Sequence, residues 1–324
     1  MLPYCSPPPN MSHSAALIAG VRRLFHDSFS AYLVLIRLMI PALVIVKVLE
    51  MVGGTHVLAS VLSPIMQVVG LPSEIGIVWA AAMLTSIYTS LAIFADMSLN
   101  MPLSVAQVSV LGTMILVAHA LPVEGAVAKA TGVPWPATLL IRIGGALTLG
   151  ALLHLYYSTT GSLQEPAVML WRPEASDPSL LAWALGQLRS LAMIFVIILG
   201  LMALLRILKV LGIERLMHAL LAPLLRLIGI GREASNVTII GFTLGLSVGA
   251  GLLIREARTG KLSRRDIFLT MAFLGLCHSV IEDTLLIALM GADLSAILWA
   301  RLGFAIVITM MLARLGRLIP VPQA

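Results

Sequence analysis

Apolar stretches fill most of the chain, and short polar or glycine-rich segments interrupt them at intervals. "LAMIFVIILGLMALL" at 191–205 and "FAIVITMMLARL" at 304–315 carry one charge between them. About 20 residues of apolar helix cross a bilayer core. A membrane β-barrel would instead show sustained apolar-polar alternation, and none is present. The pattern predicts an all-α polytopic membrane protein.

The same series of elements is predicted twice. Apolar spans are expected at about 31–52 and 190–211, followed by amphipathic helices "HVLASVLSPIMQVVG" and "RLMHALLAPLLRLIG". Small-residue segments follow at about 74–96 and 233–255, then second spans at 102–121 and 262–281. Short half-helices lead to third spans at 136–157 and 295–316. Identities recur at a fixed offset of 159 residues: Pro64 with Pro223, Gly70 with Gly229, Glu74 with Glu233, Ser104 with Ser263, His119 with His278, Gly132 with Gly291, Arg142 with Arg301. Repeats of this size are how many transporters are built. The expected divisions are a tail and interfacial helix over 1–30, repeats over 31–157 and 183–324, and a polar linker over 158–182. Within the first division, "MLPYCSPPPNMSHS" reads as a proline-rich tail and not a signal peptide. "AALIAGVRRLFHDSF" reads as a helix lying in the membrane surface.

Charge orients the repeats. The chain has 21 Lys and Arg against 15 Asp and Glu, and only 11% of its residues are charged. Basic residues collect in cytoplasmic loops, so the surplus calls for no nucleic acid. The segment "ASNVTIIGFTLGLSVGAGLLI" has Arg226 and Arg232 on one flank and Arg258, Lys261 and Arg264 on the other. Its counterpart has flanks, 53–73 and 95–104, without Lys or Arg. A full crossing would violate the charge rule twice. Glycine density there would also free backbone groups that lipid cannot satisfy. A re-entrant hairpin fits both observations. Three spans per repeat is an odd number, so the second repeat is expected upside down, with both termini cytoplasmic in a bacterial cytoplasmic membrane.

"CHSVIED" at 277–283 puts three ionisable groups in an apolar region, and "AHALPVE" is its match. On a continuous helix His278 and Glu282 share a face, and Asp283 lies about 100° away. Pro122 is expected to interrupt the first copy, and both second spans are expected to run histidine, then a break, then acid. Intramembrane charges face the bundle interior and pair. Two readings stand side by side. In one, Arg142 pairs with Glu124, and Arg301 with Asp283 or Glu282, to fix packing. In the other, His119, Glu124, His278, Glu282 and Asp283 handle substrate or protons, with Arg142 and Arg301 as counter-charges. Tyr88, Thr89 and Ser90 are expected at the first hairpin tip, and Gly245, Ser247 and Gly249 at the second. Cys5 and Cys277 form no disulfide framework. No cofactor or metal motif occurs; HxxxE at His278 and Glu282 is the weak metal candidate, and the weight is against an enzyme.

"PLLRLIGIGREASNVTIIGFTLGLSVGAGLLIREARTGKLS" resembles the Gate, or nucleoside recognition, domain. That domain is shared by concentrative nucleoside transporters, the membrane part of the ferrous-iron transporter, and spore maturation proteins A and B. The resemblance implies opposed hairpins and solute transport. The Asn-Glu pair that holds nucleosides in the first group is missing here. So are the hairpin cysteine and GTPase of the second. The expectation is a secondary transporter of a small polar solute, nucleoside-like or an organic anion. Its partners would be the bilayer, the solute, a proton or sodium ion, and other copies of the chain. The alternative is a membrane assembly or maturation factor that works through a partner protein.

Overall fold

A computed structural model describes residues 13–98, 101–170 and 179–318. Among them helix is the only extended regular structure; one isolated bridge joins Ser104 and Pro166. The helices are α1 (His13–Met51), α2 (Gly54–Val68), α3 (Gly76–Leu84), α4 (Ile87–Met97), α5 (Val105–Val117), α6 (Leu121–Ala130), α7 (Trp135–Leu139) and α8 (Gly145–Thr160). They continue as α9 (Leu180–Val210), α10 (Ile213–Leu227), α11 (Arg232–Leu244), α12 (Leu246–Arg258), α13 (Arg264–Leu276), α14 (Glu282–Ala288) and α15 (Arg301–Leu318). A π-helical turn, Leu140–Gly144, joins α7 to α8, and another, Ser295–Ala300, leads into α15.

Five helical stretches are long and apolar enough to cross a membrane: Ile18–Met51, Val105–Ala130, Trp135–Thr160, Leu180–Val210 and Ser295–Leu315. The chain is therefore a membrane protein with several apolar helices. The span expected at 262–281 is broken, in keeping with the break expected after its histidine. At 13 residues, α13 covers only about 20 Å, and α14 continues it beyond a break. The proline-rich tail falls almost wholly outside the described residues. The interfacial helix expected at 15–29 is absent as a separate element, because α1 runs unbroken from His13 to Met51. Its 39 residues would extend roughly 58 Å, well beyond a bilayer core.

Two helices lie at the periphery and two at the centre. Along α1 and α9, Ile, Leu and Val point outward, as lipid-facing surfaces do. Against each other they run antiparallel. Ser28 donates to Met202 Sδ, Phe25, Phe29 and Tyr32 surround Phe195, and Lys47 lies over Trp183. By contrast, α5 is buried almost throughout, from Ala106 to Val117, and so is α13 from Leu269 to Leu276. Each of these central helices starts on a serine cap. Ser104 and Gln107 form a capping box, and Ser263 accepts from the Asp266 amide. The repeated serine of the sequence is thus a helix start. The repeated Gly70, Gly229, Gly132 and Gly291 all have positive φ, which only glycine adopts without strain.

The two small-residue segments are helical hairpins. Thr85, with φ −125° and ψ −89°, breaks the first, and α3 packs back on α4. Gly245, with φ +85°, turns the second, and α11 packs on α12. A Cβ on Gly249 would stand 2.8 Å from the Gly241 Cα, so glycines here permit backbone contact between the arms. The linker is part of the fold where it is described. Its residues Leu163 and Glu165 accept from the first amides of α5, Ala167 donates to Leu103, and Leu170 donates to Leu289 beyond α14. Positions 171–178 lie outside the described residues.

Candidate functional site

The centre is built from two helix breaks. Each of α5 and α13 stops at a bend with one non-glycine residue in the left-handed region, Ala120 (φ 46°) or Ser279 (φ 47°). A helix end leaves its last four carbonyls without amide partners. Side chains take them here. The His119 Nδ1–H donates to Ile115 O at 3.0 Å, and His278 Nδ1–H to Leu274 O at 2.7 Å. Arg142 Nε donates to Val117 O at 2.9 Å, and Arg301 Nε to Leu276 O at 3.2 Å. Arg301 Nη2 also donates to the His278 carbonyl. The helices that follow begin with acids: Glu124 in the first turn of α6, Glu282 and Asp283 in that of α14. Cations at helix C-termini and anions at N-termini are what the helix dipole favours.

Four of the five expected substrate or proton residues meet. Glu124 Oε1 lies 3.2 Å from His119 Nε2 and 3.3 Å from His278 Nε2. Asp283 Oδ2 lies 3.8 Å and 3.9 Å from the same nitrogens. The imidazole centroids are 5.0 Å apart. Behind them Arg142 Nη1 bonds Glu124 Oε2 at 2.6 Å. All four residues and both arginines are buried. Each π turn widens its helix close to an arginine, and such turns are frequent at functional sites.

Other expected placements change. His278 lies in the break and Glu282 begins α14, so the two do not share a helical face. Glu282 turns to the first hairpin and accepts from Tyr88 Oη at 2.8 Å. The expected partner of Arg301, Asp283 or Glu282, is replaced by two backbone carbonyls among the described residues. Pro122 does not make the first break. It occupies the first turn of α6, where a missing N–H costs nothing. Thr85–Ser86 is the first hairpin tip; Tyr88, Thr89 and Ser90 are buried in the opening turn of α4. Gly245 is at the second tip, Ser247 is the second residue of α12, and Gly249 is one turn inside it.

The hairpins embrace the breaks. Ala120 N–H donates to Ala82 O of α3, and Val280 N–H to Phe242 O of α11. Sequence reasoning missed these carbonyls and those that hold the histidines. The signal for the latter was present: each histidine sits four residues after its acceptor. The metal candidate also moves. Glu282 is turned away, whereas His119, Glu124 and His278 offer ligand atoms within 4.8 Å of one another. A separate cavity of about 390 Å³, lined by Lys47, Glu50, Glu74, Asp96 and Trp183 among others, touches none of these residues.

A membrane protein of Bacillus subtilis (strain 168), YvoD, itself described as uncharacterized, is 27% identical over 280 residues, which is 86% of this chain and 88% of the relative. No solved structure matches the chain. The family model for nucleoside recognition, Gate, matches residues 191–294, from α9 through both hairpin arms, the second break and α14. Residues 191–294 are a Gate, or nucleoside recognition, domain.

Proposed function

We propose that the chain is a secondary transporter of a small polar solute in a bacterial cytoplasmic membrane, made of two inverted repeats. One observation carries this reading. Both breaks bring their ionisable side chains to one buried point, each flanked by its own hairpin. Intramembrane ionisable groups at the junction of broken helices are typical of solute and ion sites. The antiparallel packing of α1 on α9 and the difference between the hairpin flanks, basic in the second and free of Lys and Arg in the first, support inversion. His119, Glu124, His278 and Asp283 would handle solute or protons, Glu282 would couple the first hairpin to the second break, and a proton or sodium gradient would supply the energy.

Proteoliposome uptake tests this. Nucleosides and organic anions are offered under imposed proton or sodium gradients, and saturable, gradient-dependent uptake that is lost in Glu124→Gln is expected. Cysteines placed at Gly54 and Gly260 should react with an impermeant reagent from opposite sides. Reaction from one side alone removes the inverted plan. The alternative, an assembly factor, gains from the dense burial of the cluster. A stable protein partner together with absent uptake would decide for it.

A further inference from the structure

The geometry points to a binding site for one divalent transition-metal ion at His119, His278 and Glu124, with Asp283 beside it as a further charge. This rests on reading the cluster as the functional centre. The reasoning starts from hydrogen-bond directions. A carbonyl oxygen only accepts, so Ile115 O and Leu274 O fix the proton of each imidazole on Nδ1. In a neutral ring Nε2 is then a bare lone pair. Both lone pairs face Glu124 Oε1, at 3.2 and 3.3 Å, and Asp283 Oδ2 lies little further away. Acceptor faces acceptor at every contact. In addition, Asp283 Oδ2 is buried and accepts no hydrogen bond among the described residues.

Something positive belongs between these atoms. Protons on both rings would make two imidazoliums 5.0 Å apart, beside two buried guanidiniums, and like charges so placed disfavour each other; a proton on the Asp283 or Glu124 carboxyl is the competing way to fill the gap. One cation bonded to the two imidazoles and Glu124, with Asp283 facing it, removes every clash. The distances suit it. Metal–nitrogen bonds of about 2.1 Å put tetrahedral ligand atoms about 3.4 Å apart, close to the 3.2 and 3.3 Å from Glu124 Oε1 to the two imidazole nitrogens, while Asp283 Oδ2, at 3.8 and 3.9 Å from them, stands just outside that edge. Imidazole bound through Nε2, with Nδ1–H held by a backbone carbonyl, is also the usual posture of a metal-ligating histidine. Glu124 can bridge, since Oε1 faces the site while Oε2 stays on Arg142.

The ligand class follows from the donors. Two imidazoles with carboxylates suit zinc, iron, cobalt, nickel or manganese in the divalent state. Calcium and magnesium prefer all-oxygen shells, and copper(I) prefers sulfur.

Cobalt(II) is the probe. The full chain, purified in detergent and stripped with chelator, should take up one Co²⁺ per chain. It should show the visible absorption of a low-coordinate site, bleached by Zn²⁺. His119→Ala and His278→Ala should each weaken binding by more than about 100-fold, while His278→Asp, which offers a replacement ligand, keeps the ion with a shifted spectrum. X-ray absorption of the wild-type chain reads imidazole scattering even where a variant fails to fold. Substoichiometric cobalt, a double histidine variant that folds and still binds, or absent imidazole scattering would overturn the site. Proteoliposome flux separates the two claims. Stoichiometric cobalt with no flux of any kind keeps the metal site and sinks transport. Organic-solute flux without bound metal does the reverse.

Discussion

The two helix breaks have the same backbone and different chemistry. In the first, Arg142 reaches a carbonyl and a carboxylate, Val117 O and Glu124. In the second, Arg301 reaches two carbonyls and, among the described residues, no carboxylate. The acids occupy matched positions, but aspartate is one methylene shorter. Glu124 spans from both imidazoles to Arg142 with its two oxygens. Asp283 reaches only toward the imidazoles. The turn and its carbonyl caps recur in both halves, and one methylene redistributes the charges.

The largest expected effect tests this asymmetry. Glu124→Gln leaves the Arg142 guanidinium buried without its counter-charge and should cost about 3–5 kcal/mol in detergent unfolding. Asp283→Asn leaves the Arg301 carbonyl bonds in place and should cost about 1 kcal/mol. Equal losses would mean that the breaks are electrostatically alike.

The hairpins offer a second contrast, of middle size. Gly249 faces the Gly241 backbone, whereas the matched residue Ser90 already carries a side chain, which donates to Ile87 O. Gly249→Ala should cost about 1–3 kcal/mol by forcing the arms apart. Ser90→Ala loses one hydrogen bond and should cost about 1 kcal/mol or less. Thermal melting of the two variants side by side checks the order.

The smallest effect tests what the breaks share. Ala120 and Ser279 hold left-handed backbone, which costs a residue with a Cβ about 1–2 kcal/mol. Ala120→Gly and Ser279→Gly should each raise stability by about 0.5–1 kcal/mol, the gain being trimmed by glycine's greater unfolded freedom. A gain at one position and a loss at the other would show that the bends are not equivalent.

Much of this was legible in the residues. The 159-residue offset pairs His119 with His278, Arg142 with Arg301 and the four turn glycines, and each pair has one structural job in both halves. The Arg142–Glu124 contact was also among the expected pairings. The span of α1 was misjudged because charges at Arg22 and Arg23 look like a surface helix, although a helix longer than the bilayer carries them without ending. Both helix breaks were placed too late. Proline is the visible breaker, yet the second break has none; a left-handed serine does the same work.

Local and periodic features were therefore determined by the sequence itself: apolar length, serine caps, glycine turns and the 159-residue recurrence of residues. Those properties depend on residues near one another in the chain, or on a simple offset. Which acid meets which cation was decided only by tertiary structure. Arg142 meets Glu124 within its own half, but Glu124 also meets His278 and Asp283 faces His119 across the halves, and a carboxylate's choice turns on a methylene and a bend of a few residues. Such contacts depend on where two separated helices happen to break, and no spacing along the chain encodes that.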